Sequence, residues 1–170
     1  MKLELKHITP YLPYGLKVHY DGLCDDDVEG VFTVMSSHYN DNGISILSDK
    51  FDEIDLSESF FIYLDFPVKL SLRPINSITK EEAYEFGVLL MGEADMEDKE
   101  VGIGKMVLMG SIYPTIMYQD KEDEDYSIMI QFSSTGISGI DLIPYEAYEW
   151  LFNHHFDVFR LINKGLAIEK

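Results

Sequence analysis

His154, His155 and Asp157 are the residues whose types and spacing come nearest to a chemistry. Imidazole nitrogen and carboxylate oxygen are good metal ligands, and His154 and Asp157 stand one helical turn apart. Adjacent histidines point in different directions on a helix, however, and no HExxH pattern or third ligand at telling spacing accompanies them. Packed, hydrogen-bonded histidines account for the pattern better than a metal does. Asp25-Asp26-Asp27 with Glu29, and the run from Asp120 to Asp125, supply hard oxygen donors of the kind Ca²⁺ and Mg²⁺ prefer. Neither has the glycine and distal glutamate of an EF-hand in register. Gly102-Ile103-Gly104-Lys105 suggests a phosphate-binding loop, but the third glycine comes only at Gly110 and the following segment reads as strand. Nucleophilic catalysis would need a base within reach of Cys24 or Ser133-Ser134-Thr135, and no spacing selects His7, His19 or His38 for it. The aspartates beside Cys24 also oppose its thiolate. The expectation is a protein without assigned catalytic residues or cofactor, with His154, His155 and Asp157 kept as metal candidates.

The elements that would position these residues follow from hydrophobic period and punctuation. Tyr145, Tyr148, Phe152, His155, Phe159 and Ile162 recur at alternating three and four spacing, with Ala147, Leu151, His154, Val158 and Leu161 as a second row. Pro144 suits a helix start and Gly165 a left-handed cap, so the pattern predicts one continuous helix between them, buried on most sides. Phe152, Phe159 and Ile162 should face a sheet, leaving Trp150 and Leu161 toward a partner. Thr79 predicts an N-cap with Glu82 completing a capping box for a helix over Lys80–Leu90. Strands are predicted at Leu16–Tyr20, Val31–Ser36, Ile44–Leu47, Phe60–Leu64, Val68–Leu72, Lys105–Met109, Ile112–Tyr118 and Tyr126–Phe132. Asn42-Gly43 marks a tight hairpin turn, and Pro114 a break or a sheet edge. Gly92–Glu100 reads as a charged loop, and Thr9–Gly15, with Pro10 and Pro13, as a rigid lead into the first strand. Strands in runs with two helices, rather than strict alternation, predict a single α+β domain: a mostly antiparallel sheet, a mid-chain helix and a buried C-terminal helix packed on it.

Composition narrows the classes. The 170 residues are 46% hydrophobic and 13% aromatic, which suits a folded core rather than disorder. Acidic residues outnumber basic ones, 31 against 13, for a net charge of −18, so phosphate backbones and anionic membranes would be repelled. One cysteine permits no internal disulfide and fits a reducing compartment. With neither a signal-peptide pattern nor an apolar run of membrane-spanning length, the reading is a soluble cytoplasmic protein.

Three blocks, Lys6–Lys17, Leu72–Glu81 and His155–Ile168, resemble a family of small phage and prophage proteins of Bacteroidetes-type bacteria to which no activity is assigned. The resemblance implies an accessory protein of a mobile element inside a bacterial host cell, and it supplies no catalytic residues. The leading expectation is a non-catalytic protein that binds another protein or itself, with Trp150 and Leu161 as contact candidates. A second is an acidic mimic of nucleic acid that inhibits a host defence or DNA-handling protein through Asp120, Glu122, Asp123, Glu124 and Asp125. A third is an enzyme or metal protein centred on His154, His155 and Asp157.

Overall fold

A computed structural model describes residues 3–21, 29–40, 43–48, 62–63, 68–122, 127–133, 136–140 and 142–170. The chain divides into two compact units, Met1–Arg73 with Leu161–Lys170, and Pro74–Arg160. Cys24, Asp25-Asp26-Asp27 and the acidic Asp123, Glu124 and Asp125 lie outside the described residues. The architecture is α+β, with antiparallel sheets, a mid-chain helix and a C-terminal helix.

The first unit opens with a single helical turn, α1 (Leu5–Ile8), that runs into a 3-10 helix, Thr9–Tyr14. Pro10 and Pro13 restrict φ in this segment, and Gly15, at φ 68°, releases the chain into β1 (Lys17–Asp21). The rigid lead is therefore a short helix pinned by Tyr11, which is fully buried. β2 (Glu29–Asn40), β3 (Gly43–Ser48), β4 (Ile62–Tyr63), β5 (Val68–Leu72) and β10 (Ala167–Glu169) join β1 in a sheet ordered β10-β5-β1-β2-β3-β4. β2 is long enough to pair β1 with its first half and β3 with its second, the ladder shifting register between Val34 and Ser36. The predicted hairpin forms with a one-residue difference: Gly43 pairs with Asn40 and belongs to the strand. β5 buries Leu70, Ser71 and Leu72 in succession rather than alternating. It lies between β1, antiparallel, and β10, parallel, so its backbone is satisfied on both sides.

The second unit is a four-stranded meander, β6 (Lys99–Leu108), β7 (Ser111–Asp120), β8 (Ser127–Ser133) and β9 (Gly136–Ser138), packed with α2 (Lys80–Met91), α3 (Glu93–Met96) and α4 (Tyr145–Asn153). The capping box at the start of α2 is present in both directions: Glu82 N–H donates to Thr79 Oγ1 at 3.1 Å, and Thr79 N–H to Glu82 Oε2 at 2.9 Å. Ala83 and Phe86 of α2, Met96 of α3, and Ala147 and Leu151 of α4 close over Ile116, Tyr118, Ile130 and Phe132 of the sheet. Two expectations change here. The charged loop after Gly92 contains the helical turn α3, anchored by buried Met96, and β6 begins at Lys99.

The continuous C-terminal helix is the larger correction. α4 stops at Asn153, and His155 takes a left-handed φ of 56°. His155 N–H donates to the Phe152 carbonyl at 3.0 Å and Phe156 N–H to the Leu151 carbonyl at 3.0 Å. Those two bonds are the paired closure of a Schellman motif, with its usual apolar contact supplied by Leu151 and Phe156, both fully buried. A helix apolar around its circumference would leave one row uncovered, whereas turning the chain at His155 buries Phe156 and Val158 in the same core. Gly165, at φ 70°, does act as a left-handed cap, but of a separate turn beginning near Leu161: its N–H reaches the Ile162 carbonyl, and Leu166 N–H the Leu161 carbonyl.

Candidate functional site

His154 is held by its neighbours on one turn. Its Nδ1 donates to the Trp150 carbonyl at 2.8 Å, and the two rings lie 4.0 Å apart. His155 forms the helix-terminating position, and Asp157 is buried two residues on. Among the described residues no group of three or more His, Cys, Asp or Glu side chains is arranged to hold a metal ion. Nor does Trp150 face outward: its ring packs against Phe86 at 5.7 Å and Phe156 at 5.8 Å. Leu161 is fully buried, so neither residue offers the exposed surface expected of it, while Phe152, Phe159 and Ile162 are only half-buried. Within α4 the row of Ala147 and Leu151, not that of Tyr145 and Phe152, faces the core, and beyond His155 the helical period no longer applies, so Phe159, Leu161 and Ile162 follow no helix face.

Asp120 is absorbed by structure. Its Oδ2 accepts from Lys99 Nζ at 2.9 Å and its Oδ1 from the Glu122 N–H at 3.0 Å, which closes the turn after β7. Lys121 Nζ donates to the Glu97 carbonyl at 2.6 Å, leaving Glu122 as the exposed carboxylate of the described part of the run. Gly102 and Gly104 lie within β6, opposite Met117 and Thr115, so the segment is a strand and not a phosphate loop.

Two surface features of the second unit are built for contact. The first is the β6–β7 ribbon. β8 pairs with β7 only from Thr115 to Gln119, so beyond that point β6 and β7 continue as two strands alone among the described residues. Pro114 explains the stop. The bond from Lys121 N–H to the Asp98 carbonyl sets the ladder phase, in which odd residues of β7 bond to β6 and even ones face β8. Pro114 is even, so its missing N–H falls on the β8 side, where pairing ends. Pro114 is thus inside a strand, at a local edge. The ribbon closes through Met109 and Gly110, with φ of 49° and 79°, the paired positive values of a type I′ turn. Val107, Leu108, Met109 and Ile112 crowd this end with exposures of 46% to 104%. Arg160 steadies the ribbon, donating from Nη2 to the Ile112 carbonyl at 3.1 Å and lying 5.4 Å from the centre of the Tyr113 ring.

The second feature is an open groove of about 570 Å³ between the exposed side of α2 and β6. Glu81, Tyr84 and Glu85 form one wall, and Lys99, Glu100 and Val101 the other, with Lys80 also lining it. Lys99 is neutralised by Asp120, so the Glu81, Glu85 and Glu100 carboxylates outnumber the Lys80 ammonium group on the groove's lining among the described residues.

The sequence held a signal for the ribbon, since Met109-Gly110 separates two β-like runs by two residues and Gly suits the second position of a type I′ turn. The groove had none, because it depends on which strand lies at the sheet edge. Comparison with known proteins finds no matching family model, no matching curated protein and no matching solved structure. No helix among the described residues is long and apolar enough to cross a membrane.

Proposed function

We propose that this chain is a non-catalytic accessory protein of a phage or prophage that acts in the bacterial cytoplasm by binding another protein. The observation that carries the reading is the end of the β6–β7 ribbon. A methionine there occupies a left-handed conformation that Asn or Gly would adopt more easily, and it is wholly exposed beside three further apolar side chains that are about half exposed. A turn that carries both backbone strain and exposed apolar surface violates local rules for stability, and such violations concentrate where a surface contacts something else. The acidic-mimic reading draws less support, because Asp120 spends both carboxylate oxygens on its own fold.

A photo-crosslinking residue placed at Met109 should capture one discrete host or phage protein in cells carrying the element, and Val107→Asp should abolish that capture. The same residue placed at exposed Glu146 should not capture it. Equal capture from both positions, or none from Met109, would sink the proposal.

A further inference from the structure

We infer that the groove beside β6 binds an extended, basic segment of a partner protein, which adds to the sheet as a new strand along the edge of β6 that faces away from β7, from Val101 to Val107. The inference rests on the protein-binding reading and names the chemistry of the segment bound.

Among the described residues the edge is unpaired by any strand, and it is regular. β6 is the outermost strand of its sheet, and no described strand lies beyond it. By the ladder phase, Val101, Ile103, Lys105 and Val107 direct their N–H and carbonyl groups away from β7. Sheet edges are commonly blunted by proline, by a bulge or by a very short strand. β6 has none of these, though it carries the edge lysines Lys99 and Lys105: it pairs with β7 over ten consecutive residues without a register shift. On the ribbon's other side, by contrast, Pro114 occupies an outward position.

An edge strand flanked by a helix makes a slot in which main-chain hydrogen bonds supply affinity and flanking side chains supply selectivity. Here α2 provides the flank. Glu81, Glu85 and Glu100 are exposed carboxylates on the groove, and the exposed ring of Tyr84 between them offers an apolar and cation-binding face. Lysine or arginine side chains alternating along an extended segment match that lining. The net charge of −18 steers a basic segment inward and repels both nucleic acid and a second copy of this acidic chain.

The probe is a fluorescein-labelled octapeptide alternating lysine and valine, read by fluorescence anisotropy on the full chain. Two versions, N-methylated at one or the other set of alternate residues, ask whether one face of the peptide backbone is used. The unmodified peptide should bind, and only one of the two methylated versions should lose about tenfold or more in affinity. The triple variant Glu81→Gln, Glu85→Gln, Glu100→Gln should also weaken binding about tenfold while leaving thermal unfolding unchanged, since all three side chains are exposed. Equal binding of all three peptides would reduce the interaction to bulk charge attraction and overturn the inference, as would no binding or an unaffected triple variant. Capture at Met109 that persists while the peptide fails to bind would refute the groove alone. Peptide binding without capture at Met109 would support the groove and refute the role of the ribbon end.

Discussion

Gly87 is where helix propensity and packing pull in opposite directions. In the interior of α2 an alanine would favour the helix by about 1 kcal/mol over glycine. A Cβ at this position, however, would lie 2.6 Å from Tyr118 Cε1 and 2.7 Å from both Sδ and Cε of Met96. The Tyr118 ring is fully buried and fixed by a hydrogen bond from its hydroxyl to the Ala83 carbonyl at 2.8 Å, so it has nowhere to go. Burial raises the phenol's pKa above its ordinary value, which keeps it a proton donor across the working range. Gly87→Ala should therefore destabilise by about 1–3 kcal/mol in urea unfolding despite its better propensity. A stabilised variant would show that Met96 and Tyr118 yield easily. His7 makes a different residue-scale prediction. It is buried, its Nδ1 accepts the Glu4 N–H at 3.0 Å, and its pKa is lowered, chiefly by burial and against the attraction of Glu4. The positive charges of Lys6 and Lys164 push it more weakly in the same direction as burial. Because the folded pKa lies below the unfolded one, the unfolded chain binds the proton first. The neutral ring's contribution is complete above about pH 6.5 and declines as pH falls below it, by at most about 1.4 kcal/mol per pH unit. Urea titrations between pH 7.5 and 5.5 should show this slope for the native chain and a shallower one for His7→Asn, whose side-chain oxygen can still accept the Glu4 N–H.

Elements in this protein end where a buried contact outweighs a continuing period. The Leu151–Phe156 closure ends α4, and the Pro114 parity ends β8 pairing, which frees the ribbon. The ribbon turn should respond to substitution in two ways at once. Met109→Asn installs the residue most at home at the first position of a type I′ turn and should raise stability by about 0.5–1 kcal/mol, read as a higher unfolding midpoint. It removes the most exposed apolar side chain of the patch, so capture of the partner by a crosslinker at neighbouring Leu108 should fall. Gain of stability without loss of capture would mean that the turn's strain serves no contact.

At the scale of the whole chain, the second unit is inserted between two parts of the first, and β10 returns to pair with β5. Every residue of the second unit's buried cluster lies between Ile75 and Val158. A fragment spanning 74–160 should accordingly unfold cooperatively, and removal of Leu161–Lys170 should cost the first unit its β10 ladder and the buried Leu161. Hydrogen exchange on that truncation should show protection lost in β5 and β1 and kept in β7 and β8; uniform loss would mean that the two units fold as one. Local chemistry in the sequence determined much by itself. The Thr79–Glu82 capping box, the short hairpin before Gly43, the left-handed Gly165 and the α+β class all follow from neighbours within a few residues, where a side chain and the backbone it serves are close in the chain. Only the tertiary structure decided that the helix breaks at His155, that Trp150 and Leu161 turn inward, and that β6 is an edge beside α2. A helical period says which residues need burial, but the partner that buries them comes from elsewhere in the chain. An edge, likewise, is defined by the strand that does not come.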